Sequence, residues 1–166
     1  YQGGPAHTDM SDWLNHTINT VENSDNLLLV KPHPHELNYE ISAKPIQGFT
    51  GMIKSNSLKN TFILPHRGVN IQDLFEYVDV FLCWNGSAIA ELGAQKKKVI
   101  ACDDWADKNY PINVYLPSSR LDYENILNAN KEVIMHDGFV EKSQAYIVYL
   151  TEAPFSIQYP FVSRSS

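Results

Sequence analysis

A histidine held between two prolines is the first feature with chemical use. In Lys31-Pro32-His33-Pro34-His35 the proline rings fix the backbone and leave the His33 imidazole little freedom, so it can be aimed at a phosphate and stabilise charge on a departing nucleotide. A second imidazole tip follows at Pro65-His66-Arg67-Gly68. Asn85-Gly86-Ser87 then opens a helical pattern. Glycine lets a ligand approach the backbone, and a helix's first turn leaves N–H groups that suit phosphate or carboxylate. The Ser87 hydroxyl can cap that helix or donate to the anion, and Glu91, one turn on and on the same face, suits sugar hydroxyls. Asp103-Asp104 forms an acidic tip. Plainer readings stand beside these: Ser87 as an N-cap, Glu91 as a surface residue favoured by the helix dipole, and His33 as a hydrogen-bonded structural residue. A metal site built on His33, His35, His66 and Asp103 lacks H-x-x-x-H or H-E-x-x-H spacing. A Ser-His-Asp hydrolase built on Ser87 lacks the second glycine of G-x-S-x-G. No metal and no cofactor are expected.

These tips need elements to hold them. Four short apolar runs precede them: Leu27 to Val30, Thr61 to Leu64, Val80 to Cys83 and Val99 to Cys102. Continuous apolar runs of this length read as strands covered on both faces. Roughly 15 residues separate each of the last three runs, which is room for a helical crossover and too long for a hairpin, so the strands are expected to be parallel. Helices are predicted over 9–23, 71–77, 87–94, 121–130 and 138–150, with a further short one over 49–57. Asp9 or Ser11 caps the first, and Asn70 caps the second. A polar, aromatic-rich loop is predicted from Asp103 to Ser119. The fold expectation is α/β: a Rossmann-like, doubly wound parallel sheet in a single domain over 1–166, with a tail from Pro154 that shows no periodicity. In such sheets ligands bind beyond the carboxyl ends of the strands, where all the tips above would converge.

Composition narrows the function classes. The 166 residues amount to one ordinary domain, and 13 Lys and Arg against 19 Asp and Glu give a net charge of −6, which argues against a general nucleic-acid binder. With 43% apolar and 11% aromatic residues the chain can bury a core, so disorder is a poor reading. No apolar run approaches the roughly 20 residues that span a bilayer, and no signal peptide is visible. Cys83 and Cys102 lack C-x-x-C spacing and read as reduced core thiols of a cytosolic protein. Lys96-Lys97-Lys98 reads as a solvated turn. The sequence opens at Tyr1 rather than Met, as a piece of a longer protein would.

LLLVKPHPHE, followed by TFILPHRGVNIQDLFEYVDVFLCWNGSAIAELGAQKKKVIACDD, resembles the C-terminal, nucleotide-sugar-binding half of bacterial GT-B glycosyltransferases. The likeness is above all to capsule polysaccharide synthesis and export proteins, which include Kdo transferases. Related patterns occur in bacterial sialyltransferases and polyol-phosphate polymerases. It covers about residues 10–130. The resemblance implies that His33-Pro34 and Ser87 contact the nucleotide phosphate, that Glu91 contacts the donor's ribose or sugar, and that His66 lies near the base. Gly86 stands where many relatives carry Ser or Thr. The implied donor is a CMP-activated acidic sugar, with CDP-polyol or UDP-sugar as alternatives, and the acceptor is a glycan or glycolipid. Acceptor and catalytic carboxylate come from an N-terminal domain in such enzymes, so the whole protein would act at the cytoplasmic face of the inner membrane. Two other readings are a non-catalytic nucleotide-binding module of a polysaccharide export system and a nucleotide-sugar epimerase-like domain.

Overall fold

The computed structural model describes residues 3–33, 53, 58–65, 67–104 and 112–152. Pro34, His35, His66, the short helix predicted over 49–57 (save residue 53) and the tail lie outside them. The chain is a mixed α/β protein. Helix α1 (Met10–Glu22) starts at Asp9, whose carboxylate accepts the Asp12 N–H at 2.8 Å, and it buries Thr17, Ile18 and Val21. Its end is tied to the second strand: Glu22 accepts the N–H groups of Lys59 and Asn60, and the Asn60 amide donates to Val21 and Ser24. Strand β1 (Leu28–Val30) pairs in parallel with β2 (Thr61–Ile63), Leu29 opposite Phe62. Strand β3 (Phe81–Cys83) pairs in parallel with β4 (Val99–Ala101), Leu82 opposite Ile100, and α2 (Ala88–Ala94) connects them. Helices α3 (Arg120–Leu127) and α4 (Phe139–Thr151) follow.

The parallel expectation holds for both pairs, each a sheet of two strands. The core is organised around the second pair and follows the two-residue period of a strand. Phe81, Val99 and Ala101 join Ile89 and Leu92 of α2 and Phe139 of α4 in one buried cluster. Ile100, Cys102 and Trp84 join Ala6 and the α3 residues Tyr123 and Ile126 in another, against which Met10 and Trp13 of α1 pack. Helices therefore cover both faces of β3 and β4, which is why their sequences are continuously apolar.

Three expectations are corrected. The helix predicted from Ile71 to Tyr77 is a 3₁₀ turn over Ile71–Leu74. There the N–H groups of Phe75 and Tyr77 reach carbonyls three residues back, and Asp73 draws in the Asn70 N–H at 2.7 Å. The loop predicted over 103–119 contributes core: Ile112 and Val114 are buried, and Tyr115 bridges Ile100 on the far side of β4. Asn113 between them is exposed and has φ of +57°, the left-handed region that asparagine enters more readily than most residues. Nor are all three lysines of 96–98 merely solvated. Lys97 donates to the Phe75 carbonyl at 2.8 Å and lies 5.0 Å from that ring's centre, and Lys98 pairs with Glu132. Both cysteines are free thiols, with Cys102 buried. Among the described residues no helix is long and apolar enough to cross a membrane.

Candidate functional site

The site grows out of the parallel pairing of β3 and β4, which continues past the strands. Cys102 N–H donates to Cys83 O at 2.9 Å, and Asp103 N–H donates to Trp84 O at 3.0 Å. The next residue of the first strand, Asn85, is thereby set beside Asp103, and its side-chain amide donates to the Asp103 carboxylate at 3.0 Å. Asp103 is buried. A buried carboxylate needs such partners, so Asp103 anchors the turn rather than presenting charge to a ligand. Asp104 beside it is half-buried.

Beyond the anchor the chain turns at Gly86, whose φ is +109°. A side chain there would meet nothing within 4 Å. Conformation, not crowding, selects glycine at this position, since an L side chain in this region is strained. Ser87 occupies the N-cap position of α2 but its side chain makes no capping bond. Its hydroxyl donates to Glu91 Oε1 at 3.1 Å instead, and both residues are exposed. Serine and glutamate do share one face, and they are paired with each other, so a ligand would exchange this bond for its own. The first turn of α2 is already closed on itself, with Ile89 N–H donating to the Gly86 carbonyl at 3.2 Å and the Ala90 and Glu91 N–H groups to the Ser87 carbonyl at 3.0 and 3.1 Å. What the turn presents to solvent at the carboxyl end of β3 is therefore the Ser87–Glu91 pair.

Glu91 also borders a crevice of about 150 Å³ lined by Ile71, Phe75, Leu92, Gln95 and Ile147. Pockets for drug-sized ligands run about 300–1,000 Å³, so this crevice is smaller than such a pocket. Behind the turn, burial pushes the Cys83 thiol up to about 12, with the Glu91 carboxylate adding to the effect. It is no nucleophile at neutral pH.

His33 stands exposed at the end of the other pair, following Lys31 and the buried Pro32 on β1. Lys31 Nζ reaches across to the Pro65 carbonyl, two residues past β2, at 3.4 Å. Two separate hydrogen-bonded pairs, Asn85 with Asp103 and Ser87 with Glu91, thus flank Gly86 on the second strand pair, while His33 follows the first. Among the described residues no His, Cys, Asp and Glu side chains gather into a metal-binding group.

A further polar chain was not foreseen from the sequence. His7 Nε2 lies 2.8 Å from His16 Nδ1, and His16 Nε2 lies 2.8 Å from Glu124 Oε1. The two histidines are nine residues apart and their carboxylate comes from α3, 108 residues beyond His16. No local motif could have announced it. No family model matches the chain, and neither a curated protein nor a solved structure matches it.

Proposed function

We propose that this chain is the donor-binding half of a GT-B glycosyltransferase of bacterial capsule or surface-polysaccharide synthesis, with a CMP-activated acidic sugar as donor. The observation that carries this reading is the Asn85–Glu91 turn: a left-handed glycine, an unencumbered surface beyond it and an exposed Ser87–Glu91 pair at the carboxyl end of a parallel strand, where α/β proteins bind ligands. In this reading the phosphate rests on the turn and the Ser87 hydroxyl turns from Glu91 to the phosphate. Glu91, so released, accepts from a hydroxyl of the donor. The doubly wound sheet belongs to the proposal as well, because joining the two strand pairs side by side is what would bring His33 to the same phosphate. Displacement at the anomeric carbon then sends negative charge onto the leaving nucleotide, and His33 with the Ser87 hydroxyl would stabilise that charge. The acceptor, a glycan or glycolipid, and the catalytic carboxylate would come with the other half of the enzyme at the cytoplasmic membrane face.

A thermal-shift panel of CMP, CDP and UDP tests the reading. A ligand at a hundred times its Kd adds about 2.7 kcal/mol, or about 5–10 °C for a chain of this size. The proposal expects that shift for CMP and a smaller one for UDP. A UDP preference would instead favour the epimerase-like reading, and no response to any nucleotide would favour an interaction module.

A further inference from the structure

The segment Gly3–Thr8 crosses the carboxyl end of β4 as a strap. Gly4 lies so close to it that a Cβ there would stand 2.3 Å from the Cys102 carbonyl oxygen. Gly4 N–H donates to His7 O at 2.8 Å, Ala6 is buried against the second core cluster, and Thr8 donates its N–H and hydroxyl to Asp12. His7 is the strap's deepest polar residue, 2% exposed. We propose that the His7–His16–Glu124 chain is a pH-sensitive latch, which holds this strap across β4 when both rings are neutral and releases it when one proton is taken up.

With both rings neutral, the hydrogen-bond geometry leaves room for one arrangement of protons. A carboxylate only accepts, so His16 Nε2 carries the hydrogen toward Glu124, and the lone pair on His16 Nδ1 receives the His7 Nε2–H. His7 Nδ1 then keeps its lone pair, buried and without a hydrogen-bond partner. A second hydrogen on the His16 ring, at Nδ1, either faces the His7 Nε2–H across 2.8 Å or drives that hydrogen to the buried His7 Nδ1, where it meets no acceptor. A proton added at His7 Nδ1 creates a buried cation with no acceptor for the new N–H, at substantial cost. Either addition breaks the closed state. The groups facing His7 do not offset this. His16 and Asp12 come from α1, and Arg120, Tyr123 and, through His16, Glu124 from α3. Arg120 is paired with Asp12, whose carboxyl the Thr8 N–H holds below its usual range. The Tyr123 ring meets His7 edge-on at 4.8 Å and burial pushes its phenol upward, so it stays neutral. Burial is the largest cause that lowers His7 from 6.5 to about 4, with Asp12 opposing and Arg120 adding to the fall.

The sign follows. The open strap binds a proton at an ordinary histidine pKa and the closed one only near 4, so closure is fully favoured above about 6.5 and weakens as pH falls from there toward 4. Hydrogen exchange of the Gly4 amide, corrected for the intrinsic rate, reads the opening directly. The opening constant should rise about thirtyfold between pH 7.5 and pH 5. His7→Gln keeps a donor toward His16 and cannot titrate, so its rise over the same range should stay below about threefold. A flat wild-type profile, or a His7→Gln protein that keeps the full rise, overturns the latch. If His7→Gln does not fold, the wild-type ring ¹⁵N shifts decide. His7 titrating in step with Gly4 opening supports the latch, and Gly4 opening with an unchanged His7 ring overturns it.

Discussion

Two glycines with opposite reasons to be glycine set the local chemistry. Gly86 needs its left-handed φ and has open space around it, whereas a Cβ at Gly93 would stand 2.3 Å from Ser143 Oγ and 2.6 Å from Phe139 Cζ. Gly86→Ala therefore loses stability through backbone strain alone, about 1–3 kcal/mol, measurable by urea unfolding. Gly93→Ala pits two effects against each other. Alanine is the better helix former by about 1 kcal/mol, but forcing it between α2 and α4 costs about 1–3 kcal/mol. Ser143 and Phe139 are both buried and stand on a rigid helix, so net destabilisation is the expected outcome. A more stable Gly93→Ala protein would mean that α4 shifts freely. Ser87→Ala removes only an exposed bond to Glu91 and should leave stability within about 0.5 kcal/mol of the parent.

At the scale of elements, α1 and α3 are joined by a closed polar ring. Thr17 Oγ1 donates to the Trp13 carbonyl at 2.7 Å, which leaves Tyr123 to donate to Thr17 at 2.7 Å and to accept from Trp13 Nε1 at 2.9 Å. Every hydroxyl hydrogen in the ring has a destination. Tyr123→Phe strands the Trp13 N–H in a buried place and should cost about 1–3 kcal/mol in denaturant unfolding with an unchanged m-value. The helix itself was readable in advance, because Asp9 caps it and its apolar residues recur at helical spacing. The strands were equally readable, each within a residue at either end, because continuous apolar runs between turn residues admit few alternatives. What the sequence could not disclose were the contacts made across the fold. Nothing around His16 points to Glu124, and Asp103 looked like a ligand-facing acid until the paired strand ends put Asn85 against it. Tyr115 was hidden because it meets Ile100 through one isolated bridge rather than a strand, and the alternation of Ile112, Asn113 and Val114 is too short to announce one.

At the scale of the whole molecule, the two strand pairs carry different chemistry. The first ends in Lys31 and His33, the second in the Asn85–Asp103 anchor and the Ser87–Glu91 pair. A net charge of −6 still admits an anionic ligand if the Ser87 hydroxyl and one imidazole supply the recognition. Between the pairs' helices the core is closed to chemistry. Burial raises the Cys102 thiol well above its usual pKa, so at pH 8 a disulfide reagent should label Cys102 only as fast as the protein unfolds. Labelling in seconds in native buffer would contradict the packing of the second cluster. The central claim, that the carboxyl ends bind a nucleotide phosphate, is tested most directly by calorimetric titration of CMP into the parent and His33→Ala. His33 is exposed, so its removal should leave the fold unchanged, and the account predicts binding to the parent with a loss of about tenfold to a hundredfold in the variant, the worth of one hydrogen bond to a charged group. Equal affinity in the two proteins, or no heat from either, would contradict it.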